Sequence, residues 1–236
     1  MFNMVSGRRS VYVILVGLLV HTAGCGGGTT GTSSTGELKL AGYAQGSSGQ
    51  RLGDRSMTVR SGVDQGELLA SQTDAEGSFT MALPGSESSV LIEIDGKVSS
   101  PIARRFNGSS ILSTVLTLSS SGGVISQGSF EVQVDQASLC QSLGIEGNEL
   151  YVKGAISGPC EVRARIAPTS YSLSSFSASL EGICDGSSTL ISTVPADTTG
   201  VVSIDVGGAI EGGCSSPRIV VSSTSDPSRR VAIPIY

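Results

Sequence analysis

From Glu37 onward the apolar residues recur at every second position, as in Leu38 and Leu40, Met57 and Val59, and the series Phe79, Met81 and Leu83. A strand sends successive side chains to opposite faces, so this period predicts half-buried β-strands. Leu68-Leu69-Ala70 and Val90-Leu91-Ile92-Glu93-Ile94 add shorter, denser apolar runs. The breaks between them are turn chemistry: Gln72-Thr73-Asp74-Ala75-Glu76-Gly77, the stop at Pro84 and the pair Asp95-Gly96. Asp bonds its neighbouring backbone and Gly takes positive φ without steric cost, so both belong at such places. The second half continues in kind, with strand-like runs at Phe130-Glu131-Val132-Gln133-Val134, Leu150–Lys153, Glu161–Ile166 and Arg218–Val221. No long segment of helical period interrupts them, and the expected fold class is all-β.

The first 24 residues are different. Arg8 and Arg9 precede a continuous apolar run from Val11 to Val20, no acidic residue intervenes, and the small triplet Thr22-Ala23-Gly24 leads to Cys25. An apolar run of that length is too short to span a bilayer and reads as an export leader. Its end resembles the lipobox of bacterial lipoproteins. The resemblance implies diacylation of the Cys25 sulfur, cleavage before that residue and acylation of the new amino terminus. It also implies membrane attachment through Cys25, with Gly26 in the following position favouring the outer membrane of the envelope. Residues 25–36 carry only Gly, Ser and Thr after the cysteine. They are expected to form a flexible tether whose random-coil reach is roughly two nanometres.

Removing the leader leaves 13 basic against 20 acidic side chains. Nucleic acid and anionic lipid surfaces both require clustered Lys and Arg, so neither is an expected partner of the folded part. The single histidine, His21, lies within the leader. The mature chain therefore has no imidazole for a catalytic triad or a metal site. Tryptophan is absent, leaving Tyr43, Tyr151, Tyr171 and Tyr236 as the main stacking groups for a sugar. No acidic pair stands out for glycoside chemistry. An enzyme is not expected, and no catalytic, cofactor-binding or metal-ligating residue is assigned.

The segment Thr73-Asp74-Ala75-Glu76-Gly77-Ser78-Phe79, followed by Leu83-Pro84 and a further apolar strand, resembles the carboxypeptidase regulatory-like (transthyretin-like) β-sandwich. The resemblance covers residues 37–118 and implies a sandwich in which this segment forms a hairpin turn and its aromatic residue enters the core. Such domains are mostly non-catalytic accessories of exported proteins. Asp74, Glu76 and Asp95 then read as turn residues, with calcium binding as the rival. An isopeptide bond between Lys39 and Asn107 is a second rival, weakened because the strand Phe79–Leu83 lacks the acidic residue that such chemistry uses. Ser119-Ser120-Ser121-Gly122-Gly123 marks a composition break where this domain can end, although the strands after it could still pair with the first sandwich.

Residues 124–236 hold Cys140, Cys160, Cys184 and Cys214. An even set in an exported chain points to two disulfides, and four cysteines allow three pairings. Ease of closure favours Cys140 with Cys160 and Cys184 with Cys214, while the other two pairings stay open. A four-thiolate zinc site would need paired short spacings that are missing here. Ala155–Cys160, Ser179–Cys184 and Ala209–Cys214 share a small-aliphatic-(Ser or Glu)-Gly-x-Cys pattern, which raises internal duplication. The expected architecture is a transthyretin-like β-sandwich followed by a second, disulfide-stapled β domain. The expected role is that of a non-enzymatic, lipid-anchored envelope lipoprotein that binds or supports, its protein or glycan partner unspecified. An accessory lipoprotein of an envelope or secretion assembly and a carbohydrate-binding module are the alternatives.

Overall fold

The computed structural model describes residues 36–84, 86–168, 175–184 and 187–236. The leader, Cys25, the tether up to residue 35 and Tyr171 lie outside the described residues. The alternating segments become β1 (Leu38–Gly46), β2 (Ser56–Ser61), β3 (Glu67–Gln72), β4 (Ser78–Leu83) and β5 (Ser89–Ile94). Two short strands, β6 (Lys97–Val98) and β7 (Ile102–Ala103), lead into the long β8 (Ser110–Leu118) and β9 (Val124–Val134). The second half adds β10 (Leu143–Glu146), β11 (Glu149–Val152), β12 (Glu161–Pro168), β13 (Phe176–Cys184), β14 (Ser187–Pro195) and β15 (Val201–Asp205). One helical turn, α1 (Gly207–Glu211), precedes β16 (Ser215–Ser223) and β17 (Arg230–Pro234).

These strands form a six-stranded sheet in the order β15-β12-β9-β8-β1-β4, a sheet β3-β2-β5-β6 with β7 also on β5, a four-stranded sheet β14-β13-β16-β17, and the hairpin β10-β11. The six-stranded sheet is antiparallel except where β1 runs parallel to β8. The Thr73–Gly77 turn therefore joins strands of different sheets, β3 in one and β4 in the other, where the family resemblance implies a hairpin. Asp74 holds that corner with its own backbone and side chain, accepting from Ser78 N at 2.6 Å through Oδ1 and from Gly77 N at 3.0 Å through its carbonyl. Thr73 is fully buried, and its hydroxyl donates to the Leu52 carbonyl at 2.9 Å while accepting from Arg55 N at 2.9 Å.

The Ser119–Gly123 break is a tight turn between β8 and β9, closed by Ser119 N donating to the Gly123 carbonyl at 2.8 Å. β9 pairs with β8 directly across this turn, so the strands on either side of it lie in one sheet. One core gathers Leu38, Leu40, Met57, Val59, Phe79, Met81, Ile92 and Leu116 between the six-stranded sheet and the β2–β5 sheet. The other gathers Phe130, Val132, Phe176, Ile204, Ile219 and Ile233 between the same sheet and the β13–β16 sheet. Neighbouring residues on β8 serve different cores, Ile111 the second and Leu112 the first, so the cores lie on opposite faces of this strand. Every residue from Ser110 to Thr117 is accordingly buried.

The switch between the cores is made in β9. Its register against β8 shifts between the pairs Ser113↔Phe130 and Val115↔Gln127, so β9 carries one extra residue there. Gly128 supplies the positive φ of 57° that this bulge needs. Because side chains alternate, one extra residue exchanges the faces of all that follows. Before the bulge Val124 packs in the first core; after it Phe130, Val132 and Val134 pack in the second. Beside the bulge the hydroxyls of Thr114, Ser126 and Ser129 bond one another at 2.7 to 2.9 Å. In β1, Gly42 is required for space, since a Cβ would strike the Thr114 carbonyl and meet Phe79 Cζ at 3.0 Å.

Two outcomes are expected. Phe79→Ala removes a 5% exposed ring from the first core and should cost about 3–5 kcal/mol in denaturant titration, a loss below about 1 kcal/mol contradicting its core placement. Deleting Gly128 should return Phe130, Val132 and Val134 to the wrong face and abolish protease resistance in residues 124–236. A deletion variant as resistant as the parent chain would show that the bulge does not set the second core.

Candidate functional site

A cavity of about 630 Å³ lies where the six-stranded sheet extends beyond the β13–β16 sheet. Its floor is the face of β1, β4 and β8 that looks away from the first core, carrying Ala41, Tyr43, Thr80 and Ser113. Its wall is β17 and the turn before it. These two parts meet at a hydrogen bond between the Tyr43 and Ser228 hydroxyls, 3.0 Å apart. The turn that presents Ser228 is organised by Asp226. Its carboxylate accepts from Ser228 Oγ at 2.5 Å and Ser228 N at 3.2 Å, and stands 2.9 Å from Arg229 Nε.

Among the described residues that line the cleft are five cationic ones, Lys39, Arg51, Arg218, Arg229 and Arg230, and no carboxylate. Three of them reach an acid beyond the lining: Lys39 to Glu149 at 3.6 Å, Arg218 to Glu181 at 2.9 Å, and Arg229 to Asp226. Arg51 instead lies over the Tyr43 ring with its guanidinium carbon 3.2 Å from the centroid, a cation–π contact. Arg230 is exposed. The cleft thus reverses the sign of an acidic chain, which suits it to negatively charged groups.

On the opposite side of the six-stranded sheet stands a buried ion pair. Glu131 is fully buried in β9, and Arg104 lies 3.4 Å from it with only 4% of its side chain exposed. Burying an unpaired charge is prohibitive, and the site is saturated accordingly. Glu131 accepts from Arg105 N at 2.5 Å, from Phe106 N at 3.2 Å and from the Ser110 hydroxyl. Arg104 also donates to the Gly108 carbonyl at 2.7 Å and Ser110 Oγ at 3.0 Å. The cluster closes the loop from β7 to β8 and so fixes where β8 enters the shared sheet.

Cys140 is joined to Cys160 and Cys184 to Cys214, with Cα separations of 5.4 and 4.4 Å. The first ties the segment before β10 to the start of β12, and the second ties the end of β13 to the residue before β16. Loops closed over separations of 20 and 30 residues correspond to stabilisation of about 3–4 kcal/mol each in the chain-entropy account. The three Gly-x-Cys segments do not share a structure. Ala155–Cys160 is irregular, Ser179–Cys184 lies in β13 and Ala209–Cys214 includes most of α1.

The remaining sequence candidates fall apart from one another. Lys39 points its ammonium at Glu149, whereas Asn107 offers its backbone carbonyl to Gln133 Nε2 at 2.8 Å. Asp95 pairs with Arg55 at 3.2 Å, and Asp74 is taken up by its turn. Among the described residues no three His, Cys, Asp or Glu side chains are grouped to hold a metal, and no helix is long and apolar enough to cross a membrane. Tyr151 and Tyr236 are exposed and do not line the cleft. Shifted pKa values belong to surface turns and rims. The Val201 and Thr199 groups bonded to Asp197 hold its carboxyl below the usual range, and Gly66 N with Ser61 does the same for Asp64. The Ser203 hydroxyl and Arg163 lower Glu161, which in turn raises Arg163.

No family model matches the chain, and no curated protein does. Solved structures that resemble it include the major pilin subunit of Bacillus cereus, at TM-score 0.23 and 10% identity over 85% of this chain and 67% of that one. The D312A variant of that pilin matches with the same score and identity, over 68% of its length. A Ca2+-stabilized adhesin with which an Antarctic bacterium binds ice matches at TM-score 0.25 and 14% identity. This chain is covered to 84% in that match and spans 47% of the adhesin.

Glu131→Ala leaves Arg104 buried without its carboxylate and should cost about 3–5 kcal/mol in urea unfolding. The double change Arg104→Met with Glu131→Leu should recover much of the loss, because an apolar pair of similar volume needs no charge compensation. A single variant within about 1 kcal/mol of the parent would contradict a fold-pinning role for the pair.

Proposed function

We propose that this protein is a non-enzymatic envelope lipoprotein with a binding role, held at the outer membrane by acylated Cys25 and presented on the tether of residues 25–36. In this reading residues 1–24 are the leader, residues 37–118 are a carboxypeptidase regulatory-like sandwich, and residues 124–236 are the disulfide-bonded unit fused to it. The observation that carries the binding role is the open cleft with five cations and no acid among its described lining residues. Such a lining offers charge and hydroxyl donors but no general base, which suits recognition more than bond breaking. Supporting the exported location are the leader pattern before Cys25 and two disulfides, which persist in oxidising compartments. The accessory lipoprotein of an envelope assembly is the second reading, favoured by β17 lying at the edge of its sheet beside the cleft.

Membrane attachment is tested by fractionation. The parent chain should sediment with membranes and incorporate labelled palmitate, and Cys25→Ala should do neither and move to the soluble fraction. A Cys25→Ala variant that stays in the membrane through an uncleaved leader would overturn the lipoprotein reading.

A further inference from the structure

We propose that the cleft takes an extended, acidic polypeptide segment, which adds to the free edge of β17 as a further strand and sets its carboxylates against Arg51 and Arg230. The proposal deepens the binding role above and is independent of the lipid anchor.

The backbone of β17 defines the docking edge. Ile235 N donates to the Pro217 carbonyl at 2.9 Å, and Ser223 N donates to the Arg229 carbonyl at 3.0 Å. In an antiparallel ladder alternate residues exchange both bonds with the partner strand, and those between them face the other way. Val231 and Ile233 therefore use their N–H and C=O groups on Val221 and Ile219 of β16. Arg230 and Ala232 turn theirs toward the cleft side, where among the described residues no strand pairs with β17 itself. An unpaired edge is a template for another strand. Pro234 has no N–H to offer, and beyond it Tyr236 N donates to the Leu150 carbonyl at 2.9 Å and its carbonyl accepts from Val152 N at 2.7 Å, so β11 holds the edge there and a ligand has only the stretch Arg230–Pro234.

Charge selects the ligand. Lys39, Arg218 and Arg229 already have carboxylates at the rim, whereas among the described residues Arg51 and Arg230 have no acidic partner. They flank the cleft from its two sides, Arg51 above Tyr43 of β1 and Arg230 at the start of β17. A strand with acidic residues at alternate positions presents all of them on one face, which matches two guanidinium groups that carry no carboxylate. A polyanionic glycan could use the cations but not the β17 ladder, and the Tyr43 ring that a sugar would stack on is already covered by Arg51.

The test uses the full-length protein in detergent and a fluorescein-labelled octapeptide with Glu alternating with Thr and Val, read by anisotropy. Binding should weaken with rising salt, and an isomer N-methylated at alternate amides should bind poorly because it cannot complete the ladder. Arg51→Gln with Arg230→Gln should lower the affinity about tenfold or more, as expected for lost charge-assisted bonds. Ala232→Pro removes an outward N–H while keeping the bonds to β16, and should lower it as well. Should that variant misfold, the two exposed arginine changes decide the matter. No binding of the acidic peptide, binding unaffected by the arginine changes, or equal binding of the N-methylated isomer would overturn the proposal. Binding of polygalacturonate in place of the peptide would also overturn it. None of these results alters the outcome of the Cys25 fractionation.

Discussion

One extra residue in β9 decides how this chain is built. Without the bulge at Gly128, a strand that begins in the first core would keep its apolar face there to its end. With it, Val124 faces one core and Phe130 the other, so one sheet can carry sandwiches on both of its sides. The irregularity costs unpaired backbone and a left-handed residue. Glycine removes the steric part of that cost, and the three hydroxyls buried beside it satisfy one another.

The same arrangement explains the polar character of a fully buried strand. β8 is covered on both faces, yet it carries Ser110, Ser113, Thr114 and Thr117 among its aliphatic residues. Each hydroxyl that has an assigned bond serves a junction: Ser110 the Arg104–Glu131 pair, Thr114 the bulge, and Thr117 the amide of Gln45 at 3.1 Å. The buried pair is better understood as specifying the entry of β8 than as a source of net stability, since desolvation offsets most of the attraction. In the second unit the disulfides take a comparable role, tying strand ends that loops alone would leave apart.

Much of the first core was legible because Leu38, Leu40, Phe79, Met81 and Leu83 alternate, and alternation is what a half-buried strand requires. β8 shows no such pattern for a physical reason: a strand buried on both faces needs no polar side. The composition break at Ser119–Gly123 was visible, but a linker and a tight turn draw on the same residues, and only pairing distinguishes them. An isolated glycine inside the run Val124–Val134 was the available signal for the bulge. The cleft had almost none. Its cations come from β1, the segment before β2, β16 and β17, and only the Arg229-Arg230 doublet hints at a local concentration of charge. The buried pair hid in the same way, as one Glu within an apolar run and one Arg of the Arg104-Arg105 doublet, each ordinary until the fold brings them together.

A face of the shared sheet left uncovered by the second sandwich is what creates the cleft, so binding surface and fold have one origin. Tyr43 and Ser228 join floor and wall across it, which makes the cleft dependent on both cores holding their relation to β8. Differential scanning calorimetry tests that shared dependence most directly. Because β8 belongs to both cores, the chain should unfold in a single transition whose calorimetric and van't Hoff enthalpies agree, shifted as a whole by Met57→Ala in the first core or Ile219→Ala in the second. Two separable transitions, each moved by only one of these substitutions, would contradict it.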